Sequence, residues 1–141
     1  MKKWAIIIGV ILVLAAIGSA VSGKKKEEEA IVREQAAKEA AEVGAGEIFN
    51  DYKQNEVGAD AKYKGKWVKI KGKVESIGKD ITDDAYVKFD VSDVLFGVQA
   101  FVEKEHQGDL TGMAPGQVVV MVCQGEGKFG NVLFKKCKVV K

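Results

Sequence analysis

An uncharged apolar run near the amino terminus constrains the fold of this 141-residue chain more than any other feature. Lys2 and Lys3 precede the eighteen residues 4–21, and the lysines of 24–26 follow them. Eighteen helical residues extend about 27 Å, close to the roughly 30 Å hydrocarbon core of a bilayer. Because backbone amides cannot remain unpaired in lipid, the run predicts a transmembrane helix within residues 1–23. We therefore expect a single-pass membrane protein.

A cleaved secretory signal is the alternative interpretation of this segment. Gly18-Ser19-Ala20 has the small side chains of a cleavage site, but the apolar run is longer than a usual signal core and ends in lysines. Cysteine is absent from this region, which excludes the cysteine-dependent lipoprotein anchor. The flanking lysines leave the orientation open. Since most small domains that follow a single amino-terminal span are exported, we expect the domain to be extracytoplasmic.

A change of composition separates the apolar run from the rest of the chain. Residues 24–46 are rich in Ala, Glu and Lys, and they predict a helical spacer that continues as far as Gly44. A dimeric coiled coil is the alternative, but Ile31 and Val32 are too few large apolar residues for a heptad repeat. The remaining residues, 47–141, are predicted to form one domain.

The pattern beyond residue 46 predicts a mainly β domain. An amphipathic helix near 47–56 comes first, followed by segments in which apolar and polar residues alternate with a period of two. Five strands are predicted, at 67–76, 86–91, 95–103, 118–124 and 132–140, with a helix or turn between the third and fourth. This number and order favour the five-stranded Greek-key barrel of the OB-fold over a sandwich of about seven strands. Gly72 inside the first strand predicts a bulge or a sharp bend.

Several short motifs resemble one known family. They are residues 55–66, with the pattern N-E-x-x-A-D-x-x-Y-x-G-K, and the runs 74–77, 98–101 and 130–133 together with Cys137. They are similar to the tRNA_anti-like OB-fold family of uncharacterised, mostly bacterial proteins, which typically carry an amino-terminal span or a lipoprotein signal. The resemblance covers about residues 47–141 and implies the OB-fold. It implies no particular activity, because none is established for the family.

Cys123 and Cys137 are the only cysteines, and both fall on predicted strands. They are equally distant from Gly130, so a hairpin with a three-residue loop centred on that glycine places them directly opposite each other. In that register we expect a disulfide, formed in an oxidising compartment. A two-residue turn of Gly130 and Asn131 would shift the register by one residue, and the cysteines would then be two buried thiols.

Nucleic acid is one candidate ligand, because OB-folds bind single strands on their second and third strands with aromatic side chains and a basic groove. The candidate residues are Tyr86, Phe89, Phe101, Lys69, Lys71, Lys73 and Lys88. The charge balance argues against a polyanion, since residues 47–141 contain 15 lysines, no arginine and 14 acidic residues. The same aromatic side chains also suit core packing, or the binding of a protein, peptide or glycan.

Catalysis, a metal and a cofactor find no support in the sequence. His106 is the only histidine and lies in a polar connection, and no serine has a nucleophile-elbow motif. Asp80, Asp83 and Asp84 fall in one turn, but Ca²⁺ requires about six to eight oxygen ligands. The sequence thus predicts a membrane-anchored OB-fold binding module without catalytic activity, whose ligand is a protein, peptide or glycan. The alternative is a single-stranded nucleic-acid-binding domain tethered to the cytoplasmic face of the membrane.

Overall fold

The computed structural model describes residues 22–141. The predicted transmembrane helix lies outside these residues. In the part that is described, no helix is long and apolar enough to cross a membrane. The chain separates into two compact units, with the boundary between Gln35 and Ala36.

Helix α1, Ser22–Glu39, occupies most of the predicted spacer. It ends before Gly44 because strand β1, Glu42–Gly44, pairs in parallel with strand β2, Trp67–Lys79. In this pairing Val43 lies opposite Ile70 and packs against the core. The composition predicted a helix through residue 43, but burial of the Val43 side chain on the sheet prevails over helix propensity.

Two helices, rather than the single one predicted near 47–56, precede the barrel. They are α2, Ala45–Gln54, and α3, Glu56–Tyr63. Asn55 separates them in an extended conformation, and its side-chain oxygen accepts a hydrogen bond from the Gly58 amide at 3.0 Å. Asparagine favours this capping position because its short side chain satisfies an amide that the first helical turn leaves unpaired.

The strands beyond α3 form a closed five-stranded barrel of the OB type, which confirms the predicted fold. They are β2 Trp67–Lys79, β3 Ala85–Phe89, β4 Val98–Val102, β5 Val118–Phe129 and β6 Asn131–Val139. The sheet order is β1-β2-β3-β4-β6-β5, and a further pairing between β2 and β5 closes the barrel. The β4–β6 pair is parallel, whereas β2–β3, β3–β4, β2–β5 and β5–β6 are antiparallel. A 3₁₀ helix, Lys104–Leu110, connects β4 to β5.

Strand β2 pairs with strands in both halves of the barrel. Its first half, from Trp67 to Lys73, pairs with β5, and its second half, from Val74 to Lys79, pairs with β3. The register shifts between Val74 and Ser76, so the bulge lies around Glu75 and not at Gly72. Gly72 instead permits close packing, because a Cβ at this position would overlap the ring of Phe89.

The core consists of inward-facing side chains from every strand of the barrel and from α2 and α3. Val68, Ile70 and Val74 alternate along β2 with exposed or partly buried residues, as the period-two pattern predicted. The helices contribute apolar residues to the same cluster, namely Ala45, Ile48, Phe49, Tyr52, Ala59 and Tyr63. Helices α2 and α3 therefore complete the apolar interior of the barrel.

Cys123 and Cys137 form a disulfide between β5 and β6, as predicted. Their Cα atoms are 4.2 Å apart, and both residues are fully buried. The hairpin that joins them turns at Gly130, whose φ of 71° is left-handed, and Phe129 pairs with Asn131 across the turn. This is the three-residue loop that the predicted register required.

Candidate functional site

Two aromatic side chains meet on the outer face of the barrel, where β3 and β4 pair. Tyr86 lies directly opposite Phe101 in this register, and their ring centroids are 5.9 Å apart with planes inclined by 64°. Both residues are only partly buried. Edge-to-face rings at this distance stabilise each other beyond the burial of their area. We call Tyr86 and Phe101 the ring pair.

The Tyr86 ring also covers part of a third strand, at a glycine. Gly78 on β2 lies opposite Tyr86, and a Cβ at Gly78 would come within 3.0 Å of the phenol oxygen. The Tyr86 ring therefore lies over bare backbone. As a result, the two rings together cover parts of β2, β3 and β4 at this level of the barrel.

The next level of the same face is polar, and its groups are paired. The Lys88 ammonium lies 3.2 Å from a carboxylate oxygen of Glu75. The Asn131 amide nitrogen donates to the Gln99 side-chain oxygen at 3.0 Å, and the Asn131 oxygen accepts from the Gly97 amide at 2.8 Å. The charge of Lys88 is thus balanced within the protein.

Three of the seven predicted ligand residues come together on this face, and four do not. Tyr86, Phe101 and Lys88 are neighbours on β3 and β4. Phe89 is fully buried in the core, so it cannot contact a ligand on the outer surface. Lys69 and Lys71 lie on the first half of β2, opposite β1, and Lys69 donates to the Ala37 carbonyl at 2.9 Å. Lys73 lies at the end of the same half, opposite Val118 on β5. These three lysines therefore lie on the half of β2 that does not pair with β3, away from the ring pair.

The connection between β2 and β3 lies beside the ring pair and is held by hydrogen bonds of its own side chains. The Asp80 carboxylate accepts hydrogen bonds from the Thr82 hydroxyl at 2.7 Å and from the Thr82 and Asp84 amides at 2.9 Å. The hydrogen bond from the Thr82 side chain is the main cause that lowers the pKa of Asp80. Asp83 pairs with Lys79 at 3.2 Å. These aspartates therefore organise a turn.

The motif shared with the family forms a clamp between α2 and α3. The Tyr52 hydroxyl donates to Asp60 at 2.8 Å, and the Tyr63 hydroxyl donates to Asp51 at 2.5 Å. The two rings stack with centroids 6.1 Å apart. Burial is the main cause that raises the pKa of both tyrosines, so both hydroxyls remain protonated donors. Asp60 and Tyr63 of the motif thus have a structural role, because they join α3 to α2, and this role is separate from the ring pair.

Replacing Tyr63 by Phe tests this clamp. The hydrogen bond from the Tyr63 hydroxyl is the main cause that lowers the pKa of Asp51, so we expect the Asp51 pKa to rise towards its ordinary value of 3.8 in the variant. Because the folded-state pKa is lowered, this interaction stabilises the fold above the ordinary pKa, and the stabilisation is lost as the pH falls through the lowered value. Carboxyl NMR titration of Asp51 in both proteins measures the shift. An unchanged Asp51 pKa would contradict the assignment.

Among the described residues, one group could offer ligands to a metal ion. Glu103, Glu105 and His106, at the start of the 3₁₀ helix, have ligand atoms within 4.8 Å of one another. All three side chains are exposed or partly buried. Neighbouring surface ligands of this kind do not by themselves define a metal site. The sequence predicts a loop position for His106, but it does not predict that Glu103 and Glu105 lie beside this histidine.

A small polar cleft of about 130 Å³ lies between α3 and the β5–β6 hairpin. Its charged lining residues are Glu56, Asp60, Lys64, Glu126 and Lys128. Two of the acids already have partners, because Glu56 lies 3.3 Å from the Lys128 ammonium and Asp60 accepts from Tyr52. The cleft therefore belongs mainly to the contact between α3 and the hairpin.

A closed five-stranded barrel with aromatic side chains on its outer face defines an OB-type domain. The chain belongs to the tRNA_anti-like family, whose sequence profile matches residues 1–138. A comparison with curated proteins gives no match.

Two solved structures are similar to this chain. One is described as a "putative nucleic acid-binding lipoprotein" from Klebsiella pneumoniae subsp. pneumoniae MGH 78578. It is 22% identical in sequence with a TM-score of 0.59, and the match covers 72% of this chain and 92% of that chain. The other is the OBody AM3L15 bound to hen egg-white lysozyme, 17% identical with a TM-score of 0.41, over 55% of this chain and 83% of that chain. The first of these supports the fold alone.

Proposed function

We propose that this protein is a membrane-anchored, non-catalytic binding module whose ligand lies across the ring pair. The observation that carries the proposal is the pairing of Tyr86 with Phe101 on the outer face of β3 and β4. These are the second and third strands of the barrel, the face that OB-folds use for their ligands. Partly exposed aromatic rings on that face offer contact area at little cost in side-chain entropy.

The chemistry around the ring pair favours a polypeptide ligand. The Lys88 charge is balanced by Glu75, and Lys69 and Lys71 lie on another part of the barrel. Aspartates occupy the connection that follows β2. A single-stranded nucleic acid needs a continuous basic groove beside its stacking residues. A protein or peptide segment needs an apolar contact and a polar rim, and both are present here.

Single-stranded nucleic acid is the second candidate. The name of the Klebsiella pneumoniae neighbour and the exposed aromatic rings favour it. Affinity for an oligonucleotide would then fall steeply as the salt concentration rises, because binding would release counterions from the phosphates. A polypeptide held by apolar contacts would depend only weakly on salt.

The disulfide supports the proposed location of the domain. Cys123 and Cys137 are bonded and fully buried, and such bonds persist in oxidising compartments outside the cytoplasm. Together with the apolar run 4–21, this favours a domain anchored on the outer side of the membrane.

Photocrosslinking of the full chain in cells tests the proposal. We expect benzoylphenylalanine at position 101 to form an adduct that protease digests and nuclease leaves intact. Position 118 provides the control, because Val118 is also exposed but lies at the start of β5, beside Lys73. Exchange of Tyr86 for Ala should reduce the adduct at least fivefold, since it removes half of the ring pair.

Three other outcomes of the crosslinking experiment would change the proposal. No adduct at position 101 above the level at position 118 overturns the ligand site. A nuclease-sensitive adduct moves the site to the nucleic-acid alternative, and an adduct that resists both enzymes but yields to glycosidases identifies a glycan.

A further inference from the structure

We propose that a second surface, at the tips of two loops, contacts the lipid bilayer directly. We call it the apolar tip, and it consists of Val94, Leu95 and Phe96, between β3 and β4, and Phe129, at the β5–β6 turn. This inference goes beyond the ligand site. It uses the proposed anchor only to choose between possible occupants of the surface.

The apolar tip is unusually exposed for its composition. Val94 is 97% exposed, Leu95 is 72% exposed and Phe129 is 87% exposed, and the Phe96 side chain is exposed as well. Other exposed aliphatic residues of the barrel, such as Ile81 and Val118, occur singly and need no explanation. Three consecutive apolar residues beside an exposed phenylalanine form a cluster, which marks an interaction surface.

The two loops form one surface because they touch. A Cβ at Gly130 would come within 3.0 Å of the Phe96 ring, so this ring packs against the turn that carries Phe129. The Val132 amide also donates to the Gly97 carbonyl at 2.9 Å. Phe96 and Phe129 therefore belong to the same end of the barrel.

Hydrogen bonds hold the apolar residues outward. The Asp93 carboxylate accepts from the amides of Leu95 and Phe96, both at 2.9 Å, and Asp90 accepts from the Ser92 amide at 2.9 Å. Ser92 has a left-handed φ of 61°, which the loop tolerates because these bonds fix it. The exposure of Val94 and Leu95 is thus built into the loop conformation.

Lipid is the occupant that fits these observations. Its most exposed side chains stand at the ends of loops, where they can insert at the boundary between headgroups and acyl chains. The apolar run 4–21 of the same chain is predicted to keep the domain near a bilayer. Lys128 is paired with Glu56 and Lys88 with Glu75, so anionic headgroups are not required.

Site-directed spin labelling of the full chain in phosphatidylcholine nanodiscs, with one copy per disc, tests this proposal. Because Cys123 and Cys137 are bonded, Leu95→Cys or Phe129→Cys introduces a single free thiol. We expect collisions with a water-soluble nickel complex to be at least threefold less frequent at positions 95 and 129 than at Val118→Cys, the exposed control at the opposite end of β5. Adding Val94→Asp should return the label at position 129 to the frequency of the control.

Equal collision frequencies at all three positions would overturn the proposal. Protection of the tip only in vesicles that hold several copies would assign it to a second copy of this chain, and protection only after addition of cell extract would assign it to a protein. Failure of the chain to associate with the discs removes the reason for choosing lipid and overturns the proposal as well. Crosslinking at position 101 does not depend on these results, so the ligand site can fail or succeed separately.

Discussion

Replacement of Gly125 by Ala should lower the free energy of unfolding by about 3 kcal/mol or more, the largest effect of any single methyl group in this domain. A Cβ at Gly125 would overlap the carbonyl oxygen of Tyr63 at the end of α3. The Tyr63 oxygen is a backbone atom and the backbone fixes the position of the Cβ, so no side-chain rotation can relieve the overlap. The Gly65 amide donates to the Gly125 carbonyl at 2.8 Å, and the Gly125 amide donates to the Lys66 carbonyl at 3.0 Å. A shift of the backbone would therefore break the bonds that attach α3 to β5.

Chemical denaturation of the two proteins measures this loss, and Gly46→Ala is the matched control. Gly46 lies in α2, and a Cβ there meets nothing within 4 Å. Alanine should stabilise this helix by less than about 1 kcal/mol. If both substitutions shift the midpoint equally, the close approach of α3 to β5 does not explain the glycine at position 125.

Removal of the disulfide should cost about 3 kcal/mol, because the bond closes a short loop and restricts the unfolded chain. Reduction of the native protein, or the double substitution Cys123→Ala and Cys137→Ala, should produce losses of similar size. Denaturation curves with and without a thiol reductant measure the effect. The double variant provides the control, since its midpoint should not respond to the reductant. A native midpoint that is equally insensitive would contradict the predicted contribution of the bond.

The disulfide was predicted correctly, although the β5–β6 hairpin is less regular than that prediction required. The predicted pairing requires a regular hairpin about Gly130, and pairs such as Lys128 with Val132 agree with it. Farther along, Gln124 pairs with Lys135, which is one residue out of that register. A second irregularity, at Lys136 with its left-handed φ of 53°, restores it, so Val122 again faces Lys138. The two shifts cancel, and the cysteines meet as they would in a regular hairpin.

Alternation along strands was the most reliable guide to the fold, because the inward and outward faces of a barrel strand differ sharply in polarity. Strand β2 illustrates this, since its predicted face of Val68, Ile70 and Val74 is the buried one. The short strand β1 could not be predicted in this way. Three residues provide too little pattern, and they pair with residues that lie about 27 positions further along the chain.

The candidate site was predicted in part, for a related reason. Tyr86 and Phe101 follow from their positions on the second and third strands, opposite each other in the sheet. Phe89 lies on β3 three residues after Tyr86, so alternation along the strand places it on the opposite, inward face. Lys69 and Lys71 belong to the half of β2 that pairs with β1, which the sequence did not reveal. The apolar tip was missed because its residues were assigned partly to a strand.

The position of the disulfide has a consequence for how the barrel assembles. The bond joins two strands that are adjacent in the chain, separated by 14 residues, so it can form within a local hairpin. Closure of the barrel depends instead on pairs such as Val68 with Cys123, whose residues are far apart in sequence. Contacts of high sequence separation dominate the folding time of small β proteins. Formation of the disulfide therefore lowers the conformational entropy of the unfolded β5–β6 segment. It does not assist the slowest step of folding, which is the pairing of β2 with β5.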